Sequence, residues 1–159
     1  MKTFRITTLV IIMMTLTFVQ GGYAYAPTTT HAGLTQEMLA YYELANGETF
    51  SNEFGELVVQ ASIDEDNPAE RALNHFYDPT TGEGINDYRP SIKWATDELS
   101  GNDFTWRKGI EAYANGDERQ AMIVLGHVLH LLEDSAQPSH TRNDPHMGHG
   151  KEGLYTGTS

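Results

Sequence analysis

From Asp117 to Ser135 the chain reads as one long helix. Asp117 suits an N-cap, Glu118 suits the first turn, and Pro138 stops the element. Within Leu125-Gly-His-Val-Leu-His-Leu-Leu-Glu-Asp134, His130 and Asp134 stand four apart. On a helix that spacing sets an imidazole and a carboxylate one above the other on one face. His127 lies near the same face, and Val124, Val128, Leu131 and Leu132 supply apolar bulk beside it. A lone His-x3-Asp pair is ordinarily a charge-assisted surface pair. Here Glu133 and Asp134 interrupt an otherwise apolar stretch, and buried carboxylates need a cation. Gln137-Pro138-Ser139-His140 then turns the chain just past the helix. Two His and an Asp so spaced suit a metal, and neutral imidazole with carboxylate suits Zn²⁺.

Composition narrows the chemistry. The chain has 159 residues, no Cys, 7 His and a formal charge of −12. The length suits one domain with its own core. Without Cys there is no disulfide framework, thiolate metal site or thiol nucleophile. The acid excess argues against a basic patch that tracks a polyanion, but a bound metal brings its own positive charge.

The first residues have a separate character. Lys2 and Arg5 precede an apolar run from Leu9 to Val19, and small residues follow at Gly21, Gly22, Ala24 and Ala26. That is the pattern of a secretory signal peptide. The run falls short of the ~20 residues of a membrane span. Residues 1–24 are expected to be removed, leaving Tyr25 as the mature N-terminus and no transmembrane anchor. Their loss takes away Lys2 and Arg5 and no acid, so the formal charge moves from −12 to −14. The protein is expected to be secreted or periplasmic.

The remainder, 25–159, reads as an all-α domain. Leu34 to Leu44 is a helical repeat with Thr35 as N-cap and Gly47 as stop. Helices are also expected over Phe54–Ile63, Ala69–Tyr77, Ser91–Leu99 and Phe104–Ala114. Asn67-Pro68 restarts the chain, Asp78 to Gly84 is a loop, and Asn115-Gly116 closes the helix before the long one. No strand alternation or internal repeat is present. Upstream, Asp64-Glu65-Asp66 precedes Asn74-His75-Phe76-Tyr77-Asp78-Pro79, and His31 precedes the first helix. Alone, an acid run reads as a solvated face.

Together, His75-Phe-Tyr-Asp-Pro79 and His130-x3-Asp134-x5-His140 resemble the bacterial zinc-dependent phospholipase C family, which is related to the single-strand-specific zinc nucleases. The segment Glu111 to Ala121 is similar to the family's lead-in to its long helix. The resemblance runs from about Tyr25 to His140. It implies a multi-helix bundle holding up to three zinc ions in one cleft. By position it implies Tyr25, His31, Asp66, His75, His130, Asp134 and His140 as metal ligands. Tyr25 would chelate through its α-amine and carbonyl, and Asp134 would bridge two ions. The Asp before the His-Phe motif is Asp64 or Asp66, with Asp66 preferred and also expected to orient or deprotonate the attacking water. His127 falls at a non-ligand position.

The family's later His-x3-acid pair is missing here. His146 is followed four residues on by Gly150, and His149 by Gly153, so both read as a flexible polar tail. Either the chain is a fragment of a longer protein, which is the expectation preferred, or the third zinc site is incomplete. The implied activity is hydrolysis of a phospholipid head-group ester by zinc-activated water. A single-strand zinc nuclease and a non-catalytic secreted zinc-binding protein fit the same residues. No protein partner is implied.

Overall fold

The structure, a computed structural model, describes residues 27–144. Residues 1–24 expected as a signal peptide, the ligand Tyr25, and His146 and His149 lie outside the described residues. The described chain is all-helical and contains no strand. None of its helices is long and apolar enough to cross a membrane.

A π-helical turn, Pro27–His31, leads into α1, Ala32–Asn46. Helix α2 spans Asn52–Asp64, α3 Ser91–Thr96, α4 Trp106–Ala114 and α5 Glu118–Asp134. Short 3₁₀ turns cover Ala69–Asn74, Glu98–Ser100 and His140–Arg142. Side chains fix several of the starts. Ser51 Oγ accepts from the Phe54 N–H at 3.2 Å, and Asp117 Oδ1 from the Gln120 N–H at 3.1 Å. Helix α1 ends at Gly47, whose left-handed φ of 67° lets its N–H reach the Glu43 carbonyl.

Four expected features differ. Thr35 is not a cap: the chain is already helical at His31, and the Thr35 hydroxyl is buried against Glu133. The helix expected over Ala69–Tyr77 is a 3₁₀ turn ending at Asn74. Beyond it the backbone takes distant partners instead of helical ones. The Tyr77 N–H donates to the His140 carbonyl, and the Phe76 carbonyl accepts from the Ser91 N–H, both at 2.9 Å. The element expected over Ser91–Leu99 breaks at Asp97, whose carboxylate accepts the Leu99 N–H at 2.8 Å and so competes with the helix. Phe104 precedes its helix, held by the Asn102 side chain, while Thr105 caps α4.

Helices α2 and α5 form the centre. Val58, Ala61, Val124 and Leu131 are buried there, and Ala72, Leu73, Phe76 and Ile85 extend the core on one side. Leu132, expected beside the core, is exposed, because it lies about 200° around the helix from buried His130. The close approach depends on Gly126. A Cβ there would run into the Val58 carbonyl and stand 2.6 Å from Ala61 Cβ and 3.0 Å from Ser62 N. The bare glycine lets the backbone of α2 lie against α5 where the His and Asp side chains emerge.

Candidate metal centre

The side chains of His75, His130, Asp134 and His140 are almost wholly buried, and they meet at the end of α5. His75 Nδ1 is 2.9 Å from Asp134 Oδ2 and 3.2 Å from His130 Nε2. His130 Nε2 and His140 Nδ1 each stand 3.2 Å from the same Asp134 oxygen. Asp66 Oδ1 closes the group, 3.5 Å from His75 Nδ1 and 3.7 Å from His130 Nε2. On the other side of Asp134, Oδ1 lies 3.4 Å from His31 Nε2. The His31 and His130 rings stack with centroids 3.8 Å apart.

These separations are those of donors around a metal. Atoms each ~2.0–2.1 Å from a tetrahedral ion stand about 3.3 Å apart. Asp66 Oδ1 and Asp134 Oδ2 are buried without a hydrogen-bond partner among the described residues. Two triads, His31/His130/Asp134 and Asp66/His75/His130, each bring one ligand atom per residue within 4.8 Å of the others. The buried His and Asp side chains thus form groups able to hold a metal ion.

Outer partners aim the cluster nitrogens. His130 Nδ1 lies 2.6 Å from the Ser62 carbonyl, which only accepts, so Nδ1 carries the hydrogen and Nε2 presents its lone pair to the cluster. His31 Nδ1 lies 2.6 Å from Glu133 Oε2, leaving Nε2 toward Asp134. Glu65 stands behind His75, with Oε1 3.6 Å from Nε2. Glu65 is itself fully buried and held by Arg71 and His127, both at 2.5 Å, and by Trp94 Nε1 at 3.0 Å.

The electrostatics are dominated by carboxylates. Glu65, Asp66, Glu133 and Asp134 face one another across the His rings, with Arg71 as the guanidinium among them. Burial pushes the Asp134 carboxyl up, but the imidazoles of His130, His140 and His75 beside it hold it well below the ordinary range. Burial likewise raises Glu65, and His127, His75 and Arg71 bring it far below. Burial disfavours a charged His75, yet Asp134 and Glu65 push it up to about 10. Burial also opposes a charged His130, and Asp134 raises it nonetheless. The cluster draws in positive charge, and a metal ion competes with protons for the same nitrogens.

The structure thus brings together six of the residues expected from the sequence: His31, Asp66, His75, His130, Asp134 and His140. Of the two alternatives, Asp66 faces the cluster, whereas Asp64 is exposed and bonds Gln60. His127 stays outside the cluster, stacked on Phe104 with centroids 3.7 Å apart. Sequence reasoning gave no site role to Glu65, Glu133 or the Ser62 carbonyl, and read Thr35 only as a helix cap. One signal was available: each of the two cluster Asp residues directly follows a Glu, as Glu65-Asp66 and Glu133-Asp134.

The fold and site define a helical protein with a buried His/Asp cluster of metal-binding geometry. Comparisons with family models, curated proteins and solved structures find no match.

Proposed function

We propose that this protein is a secreted zinc-dependent phosphodiester hydrolase of the phospholipase C type, acting on a phospholipid head-group ester. One observation carries the reading. Asp66 Oδ1, His75 Nδ1, His130 Nε2 and Asp134 Oδ2 meet with neighbouring contacts of 2.9–3.7 Å. They come from the His75-Phe-Tyr-Asp-Pro79 and His130-x3-Asp134-x5-His140 motifs and the acid run before them. Counting His31 and His140, four imidazoles and two carboxylates without Cys favour zinc over softer or harder ions.

Asp66, His75, His130 and Asp134 would hold one ion. His31 would join Asp134 at a second, and His140 is a further donor. When bound, zinc neutralises phosphoryl charge and lowers the pKa of water to near ~7. The chain's own contribution is orientation and proton transfer. Asp66 has 17 % of its side chain exposed, whereas Asp134 has 2 %. Asp66 Oδ1 lacks a hydrogen-bond partner. It is the group placed to accept a proton from the attacking water. Buried His75 and His130 stay shielded from bulk solvent.

The test is hydrolysis by the zinc-loaded full chain. Phosphatidylcholine vesicles and single-stranded DNA are offered in parallel. Release of phosphocholine supports the reading. Cleavage of DNA with intact lipid replaces it with a nuclease. Zinc binding without either activity replaces it with a non-catalytic zinc-binding protein.

A further inference from the structure

Glu133 precedes Asp134 in α5, yet the two carboxylates do different work. The Glu133 side chain is 3 % exposed. Its Oε2 lies 2.6 Å from His31 Nδ1, and its Oε1 accepts from Thr35 Oγ1 at 2.8 Å. His31 and Thr35 are four apart, so one turn of helix delivers both to the same carboxylate. With Nδ1–H given to Glu133, His31 turns Nε2 toward Asp134 Oδ1 at 3.4 Å. That is the oxygen opposite the one met by His75, His130 and His140.

We propose that Glu133 is a positioning residue that fixes the tautomer and orientation of His31, and so sets the affinity of a second metal position built on His31 Nε2 and Asp134 Oδ1. The inference rests on the metal-centre reading above. Three observations distinguish Glu133 from an ordinary buried ion pair. It touches Nδ1, the nitrogen remote from Asp134. Its second oxygen is anchored by fully buried Thr35. The His31 ring is held flat against His130, with 16° between their planes. A carboxylate behind a ligating imidazole raises its basicity, and loss of such a partner typically weakens metal binding ~10–100-fold.

The experiment titrates the full-length chain with Zn²⁺ alone against a competing chelator, in wild type, Glu133→Gln and Glu133→Ala. The glutamine keeps an acceptor for His31 Nδ1 but not the charge, and the alanine keeps neither. The first zinc equivalent is expected to hold within about twofold in Glu133→Gln, while the second weakens ~10–100-fold and weakens further in Glu133→Ala. Melting of each metal-free variant is measured alongside. A role confined to folding would lower the melting midpoint of Glu133→Gln and leave the zinc affinities of its folded fraction unchanged, which overturns the inference. A wild type that takes only one equivalent overturns it too. A wild type that takes no zinc overturns the metal-centre reading itself.

Discussion

His130 Nδ1 lies 2.6 Å from the main-chain carbonyl of Ser62, and both residues are fully buried. The bond runs from α5 to the last turn of α2. It ties the direction of a cluster nitrogen to the packing of the two central helices. Gly126, one turn earlier on α5, makes that packing possible. The geometry of the cluster is therefore a property of the core.

Replacing His130 by Ala removes a donor shared by both triads and leaves the Ser62 carbonyl buried without its partner. Zinc binding and the proposed hydrolytic activity should fall together, by more than the ~10–100-fold that outer partners cost. Stability of the metal-free protein should drop by about 1–3 kcal/mol from the unpaired carbonyl. Asp134→Asn separates the effects, since it keeps the shape of the side chain. Metal analysis of the folded variants checks both, and unchanged zinc stoichiometry would sink the ligand assignment.

Gly126→Ala tests the link between packing and site. In an isolated helix the change would stabilise by up to ~1 kcal/mol. Here the added methyl meets Ala61 Cβ at 2.6 Å and the backbone of Ser62 at 3.0 Å. Overpacking of this kind costs about 1–3 kcal/mol. The variant should be less stable in urea, and its zinc affinity should fall because Ser62 shifts away from His130. A variant at least as stable as wild type contradicts this account of the α2–α5 contact.

The parts of this architecture legible in the sequence are those set by neighbouring residues. The α5 helix follows from its own period, the Asp117 cap and Pro138, and the end of α1 from Gly47. The parts that were not legible are set by partners far along the chain. His75 leaves its helix early because Phe76 and Tyr77 bond Ser91 and His140. Thr35 has the residue type of a cap but spends its hydroxyl on Glu133, 98 positions away. Glu65 sits in an acid run of the kind that is ordinarily solvated, yet Arg71, Trp94 and His127 enclose it. His31 and His75 were expected at the site only through the family resemblance, and His130 through its spacing to Asp134. The only local mark of the carboxylates behind His31 and His75 is that each directly precedes a cluster Asp, as Glu133-Asp134 and Glu65-Asp66.

Arg71 offers a test of that enclosure. Its guanidinium pairs with fully buried Glu65 and lies 5.2 Å from the ring centres of both Trp94 and Phe104. Arg71→Met keeps much of the side-chain volume and removes the charge. Breaking one side of a buried pair costs about 3–5 kcal/mol. Most of that loss should vanish in the double variant Arg71→Met/Glu65→Gln, which no longer buries a carboxylate deprived of its guanidinium. Chemical denaturation of the single and double variants measures the coupling; strictly additive losses would show that the pair does not act as one unit.

The metal-free protein should also carry a distinctive pH signature. His75 is held at about 10, above its ordinary 6.5. A group raised on folding stabilises fully below its unfolded value and loses that contribution as pH climbs through the folded one. The His75 contribution is thus complete below 6.5 and gone above about 10. Glu65 and Asp134 are held below their ordinary 4.5 and 3.8, so their contributions are present above those values and lost in acid. These groups place the stability maximum of the metal-free protein between 4.5 and 6.5. Zinc requires the unprotonated nitrogen, so its binding near neutral pH must expel the His75 proton. Zinc added to weakly buffered apoprotein at about pH 7 should release protons, and denaturation curves with zinc should peak at higher pH than those with chelator. Binding without proton release would mean that His75 meets the metal already neutral, and that Asp134 and Glu65 do not hold its proton.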